Sequence, residues 1–146
     1  MYLLDTNIVS LFDPRRRDRA APLIAWMRRN DRFLFLSAIT LLEIESGLLK
    51  LRRETKTRRA GEIEALREGL LADFGERLLP LDATVAVAAA RLAEAARPSV
   101  IELKDLIIAA TARVHGLTVL TRNLRHFAPT GVPVLDPLAA FPPDAR

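Results

Sequence analysis

Three acidic residues, far apart in the chain, fall where a fold could bring them together: Asp5, Glu43 and Asp105. No local motif joins them, so only tertiary structure could assemble a shared site. Clustered carboxylates repel one another, and their joint ionisation is costly without a cation. Oxygen donors of this kind suit Mg2+ or Mn2+, which keep several waters and are held by a few carboxylates. Such an ion can generate hydroxide and stabilise charge on a reacting phosphodiester. Each acid also has a purely structural explanation. Asp5 or Thr6 can cap a following helix, and for Asp5 taken alone that is the stronger reading. Thr40-Leu41-Leu42-Glu43 fits a capping box in which Glu43 returns to the Thr40 amide. Ser99-Val100-Ile101-Glu102 fits another, leaving Asp105 one turn inside, where an acid complements the helix dipole. Capping and metal binding are compatible. Asp82 reads as a cap, and Glu45 lies roughly 200° around the helix from Glu43 at ~100° per residue, so the two cannot share a site.

The elements that must position these acids are legible from pattern. Strand-like runs are Tyr2–Leu4, Phe33–Leu36, Leu78–Leu81, Thr118–Thr121 and Val132–Leu135. Helix-like stretches lie between them. Pro22 to Arg29 is short and amphipathic. Ile39 to Arg53 carries apolar residues at Leu41, Ile44, Leu48 and Leu51, the spacing of one helical face. Glu62 to Phe74 and the alanine-rich Thr84 to Ala96 follow, and Ile101 to His115 ends at Gly116, the residue expected just past a helix. Strands alternating with helices predict an α/β fold: a three-layer sandwich around a central parallel sheet of about five strands. Asp5 then ends the first strand at the sheet's carboxyl edge, where open α/β sheets place ligands. Glu43 falls early in the helix after the second strand and Asp105 early in the helix before the fourth. The charged stretch Arg52 to Arg59 is the expected flexible connection, and the tail is expected to fray from about Pro142.

Composition bounds the rest. The 146 residues suit a single domain over 1–146 with a proper core, and 50% hydrophobic against 27% charged residues is ordinary for a globular chain. Cysteine is absent, which excludes disulfides and thiolate zinc sites and suits a reducing cytoplasm. The uncharged run Phe33 to Leu42 is too short to span a bilayer, so no membrane partner is expected. A carboxylate at position 5 without a basic leader argues against a secretory signal. Net charge is +4, and 19 of the 22 basic residues are arginine, whose planar fork suits phosphate oxygens. Nucleic acid is therefore a plausible partner, although many of these arginines read as solvated helix faces. His115 and His126 have no second histidine nearby, which leaves zinc and Ser–His chemistry unsupported. The six glycines form no phosphate-binding loop.

The ordered set of Leu4-Asp5-Thr6-Asn7, Ser37 through Gly47, Asp105-Leu106-Ile107-Ile108-Ala109-Ala110-Thr111-Ala112 and Gly116 through Asn123, closing with Phe127, Gly131-Val132 and Asp136-Pro137, resembles the PIN-domain ribonucleases. The nearest resemblance is to VapC-like toxins of prokaryotic type II toxin–antitoxin pairs, and it covers essentially the whole chain. It implies a metal-dependent endoribonuclease that hydrolyses RNA phosphodiester bonds with Mg2+ or Mn2+. It implies a catalytic set of Asp5, Glu43, Asp105, Asn123, Thr6 and Thr121, with Asp5, Glu43 and Asp105 as metal ligands. Asn123 stands where the family is variably acidic and adds no charge, which weakens the case for a second tightly bound ion. Lys104 stands where relatives commonly carry a small residue or proline; tuning of Asp105 and contact with RNA are both open. The resemblance further implies a homodimer and a small cognate antitoxin. That antitoxin would lay an apolar helix beside the site and insert a basic side chain among the acids.

Two other classes compete. A receiver-like Mg-binding phosphoacceptor module would use Asp82, but it needs an acidic pair at the first strand and a lysine after the last. Here Asp5 is alone and Leu135 is followed by Asp136-Pro137. An inactive PIN-like binding protein would keep the fold without chemistry; the three acids argue against that loss.

Overall fold

The computed structural model describes residues 1–144. Five parallel strands, β1 (Tyr2–Leu4), β2 (Leu34–Ser37), β3 (Leu78–Leu79), β4 (Thr118–Leu120) and β5 (Val134–Leu135), form one sheet in the order β3-β2-β1-β4-β5. The helices are α1 (Thr6–Val9), α2 (Ala21–Arg29), α3 (Ala38–Arg53), α4 (Thr57–Phe74), α5 (Ala83–Ala95), α6 (Leu103–His115) and α7 (Leu124–Phe127). The predicted sheet and its flanking layers of helices are therefore present.

Side chains of successive strand residues point to opposite faces, and β1 uses this to build two cores. Tyr2 and Leu4 pack with Leu34, Leu36 and Leu120 against Ile8, Leu23, Trp26, Met27, Leu70 and Phe74 from α1, α2 and α4. Leu3 faces the other way and joins Val119, Leu79, Leu92, Ile108 and Phe127 from the α5, α6 and α7 side. A strand covered on both faces tolerates no polar residue until it ends, so the polarity change at Asp5 marks the sheet edge.

Boundaries differ where local chemistry overrides pattern. β2 begins at Leu34 because Asp31–Phe33 forms a 3-10 turn. β3 stops after Leu79, since Pro80 has no N–H to offer a neighbouring strand. The connection expected at Arg52 to Arg59 narrows to Glu54–Lys56: α3 runs to Arg53 and α4 starts at Thr57. Arg59 also pairs with Asp13 and Glu62, so this end of α4 is pinned. The tail expected to fray from Pro142 is held at two points: Tyr2 Oη donates to the Pro143 carbonyl (3.1 Å) and Asn30 Nδ2 to Asp144 Oδ1 (3.1 Å). The last two residues lie outside those described. No helix among the described residues is long and apolar enough to cross a membrane.

Candidate active site

The parallel ladder carries one residue beyond β1, because the Asp5 N–H donates to the Leu120 carbonyl at 3.0 Å. Asp5 is thereby seated between β1 and β4 at the carboxyl edge. It also caps α1, accepting from the Thr6 N–H at 2.7 Å through Oδ1. Its Oδ2 accepts from Thr121 Oγ1 (2.7 Å) and Asn7 Nδ2 (2.9 Å). Capping and site formation thus coincide in one residue.

Glu43 arrives from β2. Ser37 ends that strand and caps α3 directly, accepting from the Ile39 N–H at 3.4 Å. The capping box expected at Thr40–Glu43 is absent, since the helix starts at Ala38. Thr40 is instead buried inside the first turn, with its Oγ1 3.4 Å from Thr6 Oγ1. Glu43 is left free to face the sheet edge, where Thr6 Oγ1 donates to its Oε2. Thr6 therefore links the first two acids, its amide on Asp5 and its hydroxyl on Glu43.

Asp105 lies in the first turn of α6, because that helix begins at Leu103 and not at Ile101. The Ser99–Glu102 box is not formed, and Glu102 occupies the cap position without a side-chain cap bond. The Asp105 side chain is buried, with Oδ2 3.0 Å from His126 Nδ1. Asp82 caps α5 by accepting from the Val85 N–H at 2.9 Å, as its position suggested.

Electrostatics bind the set together. Burial pushes the Asp5 carboxyl above its ordinary range; bonds from Thr121 and Thr6 oppose the shift, and the charges of Asp105 and Glu43 add to it. Burial likewise raises Asp105, against the opposing effect of His126. Two buried carboxyls that resist ionisation are the signature of a place that wants a positive charge. Part of that charge is supplied internally: Lys104 Nζ lies 3.2 Å from Glu43 Oε1 and 3.7 Å from Glu102 Oε2. The bond to Glu43 is the main cause holding the Lys104 ammonium above its ordinary value.

Among the described residues, no three acidic or histidine side chains stand close enough together to make a ready metal centre. Glu43 is drawn toward Thr6 and Lys104, and Asp105 toward His126. The donor chemistry still fits a hard divalent ion, since carboxylate oxygens are the ligands that such ions take. Of the expected site residues, Thr6 and Thr121 orient the acids, and the Asn123 amide N–H donates to Thr121 Oγ1 at 2.9 Å. The Asn123 side chain is exposed at the rim and makes no hydrogen bond among the described residues.

His126 is the residue that sequence reasoning set aside. It lies on α7, a single turn directly after β4, the strand that pairs with β1 beside Asp5. That adjacency comes from the strand order of the folded sheet, and no local sequence signal marks it. Asn7 joins in the same way, with Nδ2 also 3.3 Å from Thr121 Oγ1 and Oδ1 accepting the Arg122 N–H at 3.2 Å.

Residues 2–131 match the PIN domain family. The chain is 34% identical over 146 residues to the plasmid stability protein StbB of Pseudomonas syringae pv. tomato, covering 96% of this chain and 100% of the relative. It is 35% identical over 143 residues to toxin FitB of Neisseria gonorrhoeae (94% and 98% covered). With VapC ribonuclease Y4jK of Sinorhizobium fredii it shares 34% over 145 residues (94% and 97%). Among solved structures it resembles FitAcB from Neisseria gonorrhoeae, with TM-score 0.73, 33% identity, and 94% of this chain and 99% of that chain covered. It also resembles a toxin–antitoxin complex from Klebsiella pneumoniae, with TM-score 0.60, 30% identity, and 94% and 98% covered. A family match across nearly the whole sheet, with about one residue in three shared along full-length relatives, makes this chain a member of the PIN-domain family.

Proposed function

We propose that this protein is the toxin of a toxin–antitoxin pair and acts as a divalent-metal-dependent endoribonuclease. What supports this reading is the likeness to toxin FitB and to a VapC ribonuclease, together with Asp5 and Asp105 buried and Thr6 joining Asp5 to Glu43 at the sheet edge. Asp5, Glu43 and Asp105 would hold the ion, Mg2+ or Mn2+. When bound, it supplies positive charge and acidifies a water for attack on the phosphodiester. Thr6, Asn7 and Thr121 keep Asp5 oriented, and His126 does the same for Asp105. Asn123 offers an uncharged carbonyl or amide at the rim. Lys104 balances Glu43 until substrate or metal arrives.

The test is cleavage of total RNA by purified protein with Mn2+ or Mg2+. Cleavage that EDTA abolishes supports the reading; cleavage that persists in EDTA rules out the metal dependence, and no cleavage with either ion sinks the reading in favour of an inactive PIN-like binding protein.

Lys104 gives an independent check. If its ammonium competes with the ion for Glu43, Lys104→Met should bind Mn2+ more tightly, by up to about fivefold for ~1 kcal/mol of relieved competition, since Lys104 is half-exposed. Titration calorimetry in the absence of RNA reads this directly. Equal or weaker Mn2+ binding would mean that Lys104 does not oppose the metal.

A small cognate antitoxin is the proposed inhibitor. A cavity of about 400 Å3 opens beside the acids, lined by Thr6, Val9, Glu43, Ile44, Leu51, Ile63 and Leu66, with Arg16, Lys50, Lys56 and Arg59 also bordering it. Its apolar lining suits the apolar face of a helix, and a basic side chain entering from that helix would reach Glu43. The homodimer is supported by large apolar side chains left exposed, including Leu42, Val100 and Leu103. Light scattering at the mass of one 16.2 kDa chain would exclude it.

A further inference from the structure

A second cavity, of about 440 Å3, opens near the acidic edge and is lined by Arg15, Arg16, Arg19 and Arg122 with Leu11, Ala20 and Leu138. We infer that this arginine cleft is the binding track for the RNA backbone beyond the scissile phosphate, an inference that rests on the ribonuclease reading above.

Four arginines and no acidic residue are among those lining the cleft. Arg15 is partly neutralised by Glu62 at 3.1 Å, and Arg16 donates to Ser10 Oγ at 3.2 Å. Arg19 and Arg122 are exposed and have no ion pair among the described residues. The two arginines without ion pairs, Arg19 and Arg122, leave the cleft positive, and a polyanion docking there releases its own bound cations. The guanidinium fork matches phosphate oxygens bidentately. Leu138, 47% exposed, adds an apolar wall on which a base face can rest.

Position ties the cleft to the chemistry. The Arg122 N–H donates to Asn7 Oδ1, and Asn7 Nδ2 donates to Asp5 Oδ2 at 2.9 Å. Arg16 lines both this cleft and the cavity that contains Thr6 and Glu43. A strand with one phosphate at the acids can therefore run its neighbouring phosphates past Arg16 and Arg122 into the cleft. A single strand suits this better than a stiff duplex, since the path bends from the sheet edge around the 3-10 turn at Arg17–Ala20.

The experiment measures binding, so that it stands apart from cleavage. Fluorescence anisotropy of a labelled mixed-sequence single-stranded RNA, about a dozen nucleotides long, is followed across a salt series. The full-length protein carries Asp105→Asn to prevent turnover. Adding Arg19→Ala and Arg122→Ala should weaken binding roughly tenfold and reduce the slope of log K against log salt by about 1.4, for two lost single-strand phosphate contacts. Arg91→Ala with Arg113→Ala removes the same charge from residues lining a different cavity on α5 and α6, and should leave the slope intact. Equal losses in both double variants would reduce the effect to net charge and overturn the cleft. So would no loss in either, or a stronger arginine-dependent preference for duplex DNA. Arginine-dependent RNA binding without any cleavage by the wild-type protein would leave the cleft standing and remove the nuclease.

Discussion

Metal-free Asp105→Asn protein is expected to melt about 2–4 °C above wild type near neutral pH, the shift that ~1 kcal/mol produces in a chain of this size. It should also cleave RNA roughly 10³-fold more slowly, beyond the 10- to 100-fold typical of outer-shell changes. Both effects have one cause. The Asp105 carboxyl is buried and raised above its ordinary range, chiefly by desolvation, so its ionised form is unfavourable until a cation arrives. An amide of the same shape removes that cost and can still hydrogen-bond His126 Nδ1, but it withholds the charge that the ion requires. The pH dependence follows by linkage. An acid whose folded value is raised contributes stability that is present below its unfolded value, near 3.8, and lost as pH rises through the folded value. The melting advantage of Asp105→Asn should therefore be largest near neutrality and vanish in acid. Calorimetric melts in EDTA across pH, with cleavage assays in Mn2+, read both arms. A clearly lower melting temperature for the metal-free variant at neutral pH would show that Asp105 is a structural anchor and that the electrostatic account is wrong. Asp5→Asn is a poorer probe, because Asp5 accepts three hydrogen bonds at once and an amide cannot reproduce them.

Arg59→Met should show the opposite sign and the larger stability effect. Asp13 is 4% exposed at its side chain, and Arg59 reaches it with both terminal nitrogens while also holding Glu62 at 2.8 Å. The Arg59 guanidinium is the main reason that the Asp13 carboxyl sits below its ordinary value. Removing the partner strands a buried carboxylate, a loss of about 3 kcal/mol or roughly 6–12 °C in melting temperature. A lowered acid contributes stability that is present above its unfolded value, near 3.8, and lost as pH falls through the folded value. Wild type and Arg59→Met should accordingly converge in acid and diverge toward neutrality. Thermal melts of the pair at about pH 7 and about pH 3 check the prediction; equal melting temperatures at both would reduce this pair to a solvated contact. Because Asp13 and Arg59 both line the cavity beside Glu43, the same substitution should also loosen the groove proposed for the antitoxin.

Much of this protein was legible in its residues. Alternating apolar strands and amphipathic helices dictated the parallel sheet, because a strand buried on both faces must be continuously hydrophobic and must change polarity where it ends. That rule alone set Asp5 at the carboxyl edge. It also made Asp82 a cap, since a short side chain at a strand-to-helix turn meets the unpaired amides of the first turn. Boundaries were less legible where one residue decides them, as Pro80 does by ending β3 and Ser37 by starting α3 one turn before Thr40.

What lay beyond sequence was the pairing of side chains from distant elements. Glu43 faces Thr6 and Lys104 only because β2 neighbours β1 in register, Leu4 beside Leu36, so that the turns after both strands meet. His126 reaches Asp105 only because β4 is the other neighbour of β1, which sets α7 against the start of α6. Local pattern depends on periods of two and 3.6 residues and is blind to strand order. Strand order is settled by which faces must be buried together, and that is a property of the whole packed molecule.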